Sequence, residues 1–98
     1  MISINDVKKG EIQRALFKID RDDLVKRIVV TTASGRTFDG DELSQSRMSR
    51  AITGLQWQTE GATLSWVLAD NSVAAVDLIE LQEALALAVL RQSALWAQ

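Results

Sequence analysis

The spacing of apolar residues changes character along the chain, from helical to alternating and back. Val7, Ile12, Ala15, Leu16 and Ile19 recur at mostly helical intervals behind a capping serine, Ser3, with Asp6 three positions on. Gly10 interrupts the pattern, and since interior glycine costs a helix roughly 1 kcal/mol relative to alanine, a start at Glu11 fits as well. Asp20-Arg21-Asp22-Asp23 is a polar break or a new cap, and Leu24-Val25-Lys26-Arg27 suits one further helical turn. Ile28-Val29-Val30-Thr31-Thr32 is a β-branched run that suits a strand. Ser34-Gly35 then offers a turn and Arg36-Thr37-Phe38 a return, which predicts a hairpin. Asp39 or Asp41 can cap a following helix whose buried stripe is Met48, Ala51, Ile52 and Leu55. Leu64, Trp66 and Leu68 alternate as in a strand, Asp70-Asn71 supply a turn, and Val73 to Val76 come back. Asp77 caps the last helix, with Glu80 in the reciprocal capping position.

That last helix is the most apolar element. At about 100° per residue, Leu78, Leu81, Leu85, Ala88, Val89 and Trp96 share one stripe. Ile79, Ala86, Leu87, Leu90 and Ala94 form a second zone, more than one small core covers. The order predicts a small two-layer α+β domain: helix, hairpin, helix, hairpin, long C-terminal helix. Trp66 belongs to its core with Leu81 and Leu85, and Asp39, Asp41, Asp70, Asn71 and Asp77 are its caps and turns. Exposed apolar surface beyond a few hundred Å² is unusual on a monomer, so Ile79, Leu87, Leu90 and Ala94 are interface candidates. Trp57, between Gln56 and Gln58, divides evenly between contact and packing, and Ile12 and Leu16 are further interface candidates on the first helix. The zone is covered either by the N-terminal helix of the same chain, by a second copy in a homo-oligomer, or by a larger partner.

With 98 residues the chain forms one domain, able to bury roughly 60–70% of the surface its unfolded form exposes. It contains no cysteine, histidine or tyrosine, which removes disulfides, thiolate metal sites and the commonest general base. The net charge is −2. Residues 1–27 hold seven basic and five acidic side chains, and residues 28–98 hold four and eight. This interleaved balance is the opposite of a nucleic-acid footprint. No apolar run approaches the ~20 residues that span a bilayer, and Met1–Gly10 lacks the pattern of a signal peptide. The expectation is a soluble intracellular product without nucleic-acid or membrane partners.

Candidate chemistry is thin. Asp39, Asp41 and Glu42 offer carboxylates to a hard cation, but the run after them lacks the alternating ligands of a calcium loop, and helix capping accounts for all three. Ser44 beside Arg47 and Arg50 has no histidine base. The glycines show no phosphate-loop spacing. We therefore read no catalytic, cofactor or metal site, and expect a protein that is not an enzyme.

Phe38–Ala51 reads FDGDELSQSRMSRA and Trp66–Ala86 reads WVLADNSVAAVDLIELQEALA, preceded by IVVTTASGRTF. Phe38-Asp39-x-Asp41-Glu42-x-Ser44, Met48, Trp66, Ala69-Asp70-Asn71, Val73, Leu81 and Ala84, ending near Trp96, resemble a domain of unknown function that recurs in bacteriophage tail and tail-fibre-associated proteins. The resemblance runs from Asp20 to the C-terminus, leaving residues 1–19 as a helix or arm outside it and residues 20–98 as the domain. It implies a virion structural or accessory protein of the tail, baseplate or tail fibre, acting by protein–protein contact with tail or tail-fibre proteins. Its location would be the virion, and the host cytoplasm during assembly. The alternative is a non-structural phage protein that binds and modulates an assembly or host factor. The resemblance carries no catalytic residues to transfer.

Overall fold

The computed structural model describes residues 21–97, so the helix expected over Val7–Ile19, with Ile12 and Leu16, lies outside the described residues. Residues 21–26 are helical. The chain then forms β1 (Val29–Thr31), β2 (Thr37–Asp39), α1 (Glu42–Gln56), β3 (Thr63–Val67), β4 (Val73–Asp77) and α2 (Leu78–Trp96). This is the α+β order expected from the sequence, two antiparallel hairpins interleaved with helices.

Local chemistry sets each turn. In the first hairpin Val30 pairs with Phe38, Thr32 N donates to Arg36 O at 3.0 Å, and Gly35 sits at φ +88°, where a side chain is strained. In the second, Ser65 pairs with Ala75, and Asn71 takes φ 67°, the left-handed conformation that asparagine tolerates best after glycine. Asp70 Oδ1 accepts from Ser72 N at 2.9 Å and from Ser72 Oγ at 2.5 Å. The hairpins meet where Ala69 N donates to Thr37 O at 3.0 Å.

The helices run antiparallel. Gln45 Nε2 donates to Gln92 Oε1 and Gln92 Nε2 to Glu42 Oε1, both at 2.8 Å, which fixes the start of α1 against the last turns of α2. Arg21 reaches Trp96 O from the helical residues 21–26, closing the same end. Phe38, Met48, Val76 and Leu81 form the fully buried centre, joined by Ala84, Ala88 and Leu95 from α2. Burying each of the larger side chains stabilises the fold by about 1.5–3 kcal/mol.

Several side chains depart from their expected places. The buried stripe of α2 is rotated: Leu81, Ala84, Ala88 and Leu95 face inward, while Val89 and Trp96, expected there, are 48% and 56% exposed. Small side chains at Ala84 and Ala88 are what draw that face in. The backbone at Gly40 comes so close that a Cβ there would lie 2.7 Å from Ile28 Cγ2 and 3.0 Å from Ala88 Cβ. Trp66, expected in the core, is half-buried and packs on its edge, because Phe38 and Met48 already fill the centre. Leu85 is likewise half-buried. Asp41 holds the N-cap position of α1, but its carboxylate accepts from the Ser44 hydroxyl and caps no backbone amide. Asp39 is the exposed last residue of β2. Asp77 caps α2 as expected, accepting from Glu80 N at 2.8 Å.

Two glycines test the packing in opposite directions. Gly40→Ala is expected to cost about 1–3 kcal/mol, since neither β-branched Ile28 nor the Ala88 Cβ can give way freely. Gly54→Ala, in the interior of α1 with nothing within 4 Å, is expected to stabilise by roughly 1 kcal/mol. Urea midpoints measure both, and equal midpoints for the Gly40 variant and the parent would refute the close approach.

Candidate functional site

Two features stand out from the core: a polar cluster around Glu80 at the start of α2, and an exposed apolar face beside it on the side of α2 turned away from the core. The cluster gathers the tip of the first hairpin around Glu80. Thr32 Oγ1 donates to Glu80 Oε2 at 2.9 Å, Ser34 Oγ donates to the same oxygen, and Arg36 Nη1 donates to Oε1 at 2.7 Å. Arg36 Nη1 also reaches Ala75 O at 3.0 Å, and Ala33 N donates to Glu83 Oε1 at 2.7 Å. Thr32 is the buried polar residue among those described, at 4% exposure, and here its hydroxyl finds its acceptor. Burial pushes the Glu80 carboxyl up, but the donors Ser34, Thr32 and Arg36, with the guanidinium charge, outweigh it and hold it below the ordinary glutamate value. Asp70 is also held low, by the hydroxyl and amide of Ser72.

A serine, a threonine, an arginine and a carboxylate together invite a catalytic reading, and the geometry argues against it. Both hydroxyl protons are spent on Oε2, and a carboxylate held low is a weak base at neutral pH. The cluster ties the hairpin tip to the first turns of α2. The spacing of Asp77 and Glu80 predicts a reciprocal cap, but the Glu80 side chain turns instead to residues more than forty positions earlier. A pairing that distant leaves no local signature.

The face of α2 turned away from the core, next to the Glu80 cluster, is largely uncovered by the described residues. Ile79 is 75% exposed and Leu90 67%, and Ala86 and Ala94 are exposed on the same side, with Val89 and Trp96 flanking them. At 1.5 Å rise per residue the face runs about 16 Å from Ile79 to Leu90. Leu87, expected in this zone, is half-buried and packs against the core. Trp57, just past α1, is 85% exposed. Near it a groove of about 500 Å³ is lined by Leu55, Gln58, Gly61, Leu78 and Ile79. The three carboxylates weighed for a cation are parted: Asp39 stays exposed, Asp41 takes the Ser44 hydroxyl and Glu42 takes Gln92. Among the described residues no three potential ligands gather to hold a metal ion, and no helix is long and apolar enough to cross a membrane.

The family model described as Domain of unknown function (DUF4376) matches residues 11–97. The chain belongs to the DUF4376 family. The DUF4376 match starts at Glu11, ahead of Asp20 where the region of motif resemblance begins, so it takes in part of the N-terminal segment. No curated protein and no solved structure matches the chain.

Acidity tests the Glu80 cluster. Because the folded carboxyl titrates below its ordinary value near 4.5, the unfolded chain binds more protons in the interval between the two values. Its contribution to stability is complete above about pH 4.5 and is lost as pH falls through the folded value. Glu80→Ala is expected to cost about 1–3 kcal/mol at neutral pH and to flatten stability below pH 5, since the Thr32 hydroxyl and Arg36 lose their partner. Denaturation at pH 3.5 and pH 7 checks this: an equal loss at both would show that the carboxylate charge plays no part.

Proposed function

We propose that this chain is a non-enzymatic bacteriophage virion structural or accessory protein, associated with the tail, baseplate or tail fibre, that works by protein–protein contact through the outer face of α2. The observation that carries the contact is the exposure of Ile79, Val89, Leu90 and Trp96 along one helix while the same helix buries Leu81, Ala84, Ala88 and Leu95 on the other side. A helix apolar on both sides is normally covered on both. The Glu80 cluster supports a binding module over an enzyme, because its donors are all engaged in holding the fold. The phage setting comes from the motif resemblance, Phe38-Asp39 through Ser44 and Trp66 through Val73. In this reading the protein resides in the virion, and in the host cytoplasm during assembly, with tail or tail-fibre proteins as partners.

Mass spectrometry of particles purified from the phage or prophage that encodes the chain is the direct test. Stoichiometric copies are expected. Their absence, with the chain recovered only from host lysate, would overturn the virion reading in favour of a non-structural modulator of assembly. The contact itself is tested by Leu90→Lys, which leaves stability within about 0.5 kcal/mol because the side chain is exposed. Incorporation into particles is expected to be lost; normal incorporation would refute the α2 face.

A further inference from the structure

A second surface lies at the end of the molecule away from the Gln45–Gln92 contact, where α1 ends and α2 begins. The groove of about 500 Å³ found there is lined by Leu55, Leu78, Ile79 and Gly61, and Ile79 is 75% exposed. Glu60 and Asp77 add two carboxylates to its lining, which holds no lysine or arginine. An apolar groove with acidic neighbours calls for an occupant that is apolar in the middle and basic on either side. The chain contains such a stretch. Arg14-Ala15-Leu16-Phe17-Lys18 sets three apolar side chains between two basic ones. These five residues lie outside those described, and they fall within the DUF4376 match.

We propose that Arg14–Lys18 of a second copy of this chain fills the groove, with Leu16 and Phe17 against its apolar lining and Arg14 and Lys18 beside Glu60 and Asp77. The exchange is mutual: each copy gives one segment and takes one, about a two-fold axis. Reach selects the second copy over the chain's own segment. Arg21 donates to Trp96 O, so the segment leaves the described fold at the far end of α2. Ile79 lies about 26 Å from there at 1.5 Å per residue, whereas the chain from Phe17 to Arg21 spans at most about 14 Å when fully extended. A copy therefore cannot seat Phe17 in its own groove. Each Phe17 brings about 150–250 Å² of aromatic surface to the contact, and the two-fold axis counts it twice. Closure about that axis fills both grooves and leaves none open for a third chain.

Size-exclusion chromatography with light scattering, on the full chain at micromolar concentration, is expected to give twice the single-chain mass. Phe17→Asp is expected to give the single-chain mass. Glu60 is exposed, so Glu60→Arg tests the contact without disturbing the core. It sets like charges together at both contacts and is expected to raise the concentration at which half the chains are paired by about tenfold or more. The double variant R14E/K18E is expected to weaken pairing in the same way. Mixing it with Glu60→Arg is expected to restore the doubled mass, because one contact is then the parent's and the other has its charges exchanged. Leu90 does not line the groove, and Leu90→Lys is expected to keep the doubled mass. A parent of any mass other than two chains, a Glu60→Arg variant that pairs as the parent does, or a mixture that stays unpaired overturns the proposal. A doubled mass lost in Leu90→Lys and kept in Phe17→Asp would place self-association on the outer face of α2 and overturn it too. Incorporation into particles is a separate readout, so failure here leaves the α2 contact standing.

Discussion

The seam of small residues on α2 is the constraint on which the rest of the fold depends. Ala84 and Ala88 are fully buried, and the chain crosses so near them that Gly40 has no room for a Cβ between Ile28 and Ala88. That approach sets where β2 ends and α1 begins, because Gly40 N donates to Ile28 O and Gly40 O accepts from Gln45 in the first turn of α1. Phe38 and Met48, before and after the crossing, join Leu81 in the fully buried core. Replace the seam with larger side chains and the first hairpin and α1 must both move outward.

Glu80 fixes the other end of the same arrangement. Its backbone amide is held by Asp77, which starts α2 directly after β4, and its carboxylate holds Thr32, Ser34 and Arg36. Arg36 in turn reaches Ala75 O, so one carboxylate links the first hairpin, β4 and α2. Surface ion pairs contribute little as a rule, and Arg36 is 40% exposed, but the Glu80 side chain is only 12% exposed and its other oxygen takes a buried hydroxyl. Removing one partner there leaves the others unsatisfied, and that asymmetry gives the cluster its weight.

Residues whose signals are local were legible in the sequence. Asp77 as a cap, Gly35 and Asn71 at positive φ, and the Met48–Leu55 stripe all follow from spacing within one element. What escaped was set by partners far along the chain. At about 100° per residue the apolar stripe of α2 takes in Val89 and Trp96, whereas the packed face is chosen by small residues that let Gly40 approach. Glu80 satisfies a capping-box pattern, yet its carboxylate meets better donors across the fold. Trp66 alternates as a core residue should, but β3 lies at the margin and the centre is filled by Phe38 and Met48. Asp41 occupies a cap position and spends its carboxylate on Ser44. For the α2 face, Trp66 and Glu80 a distant contact decided the side chain's place against the local pattern, whereas Asp41 lost its capping role to a neighbour three residues on.

The two faces of α2 differ in what they can specify. The inner face is fixed by shape, because Ala88 leaves room for the backbone at Gly40 and no room for a Cβ there, so a shift of the helix along its axis would close the gap. The outer face, with Ile79 and Leu90 exposed, would gain from buried apolar area, about 25 cal/mol per Å², which is indifferent to small slips along the axis. The register of α2 in the fold is therefore set from inside, by its small residues, and not by its larger apolar ones.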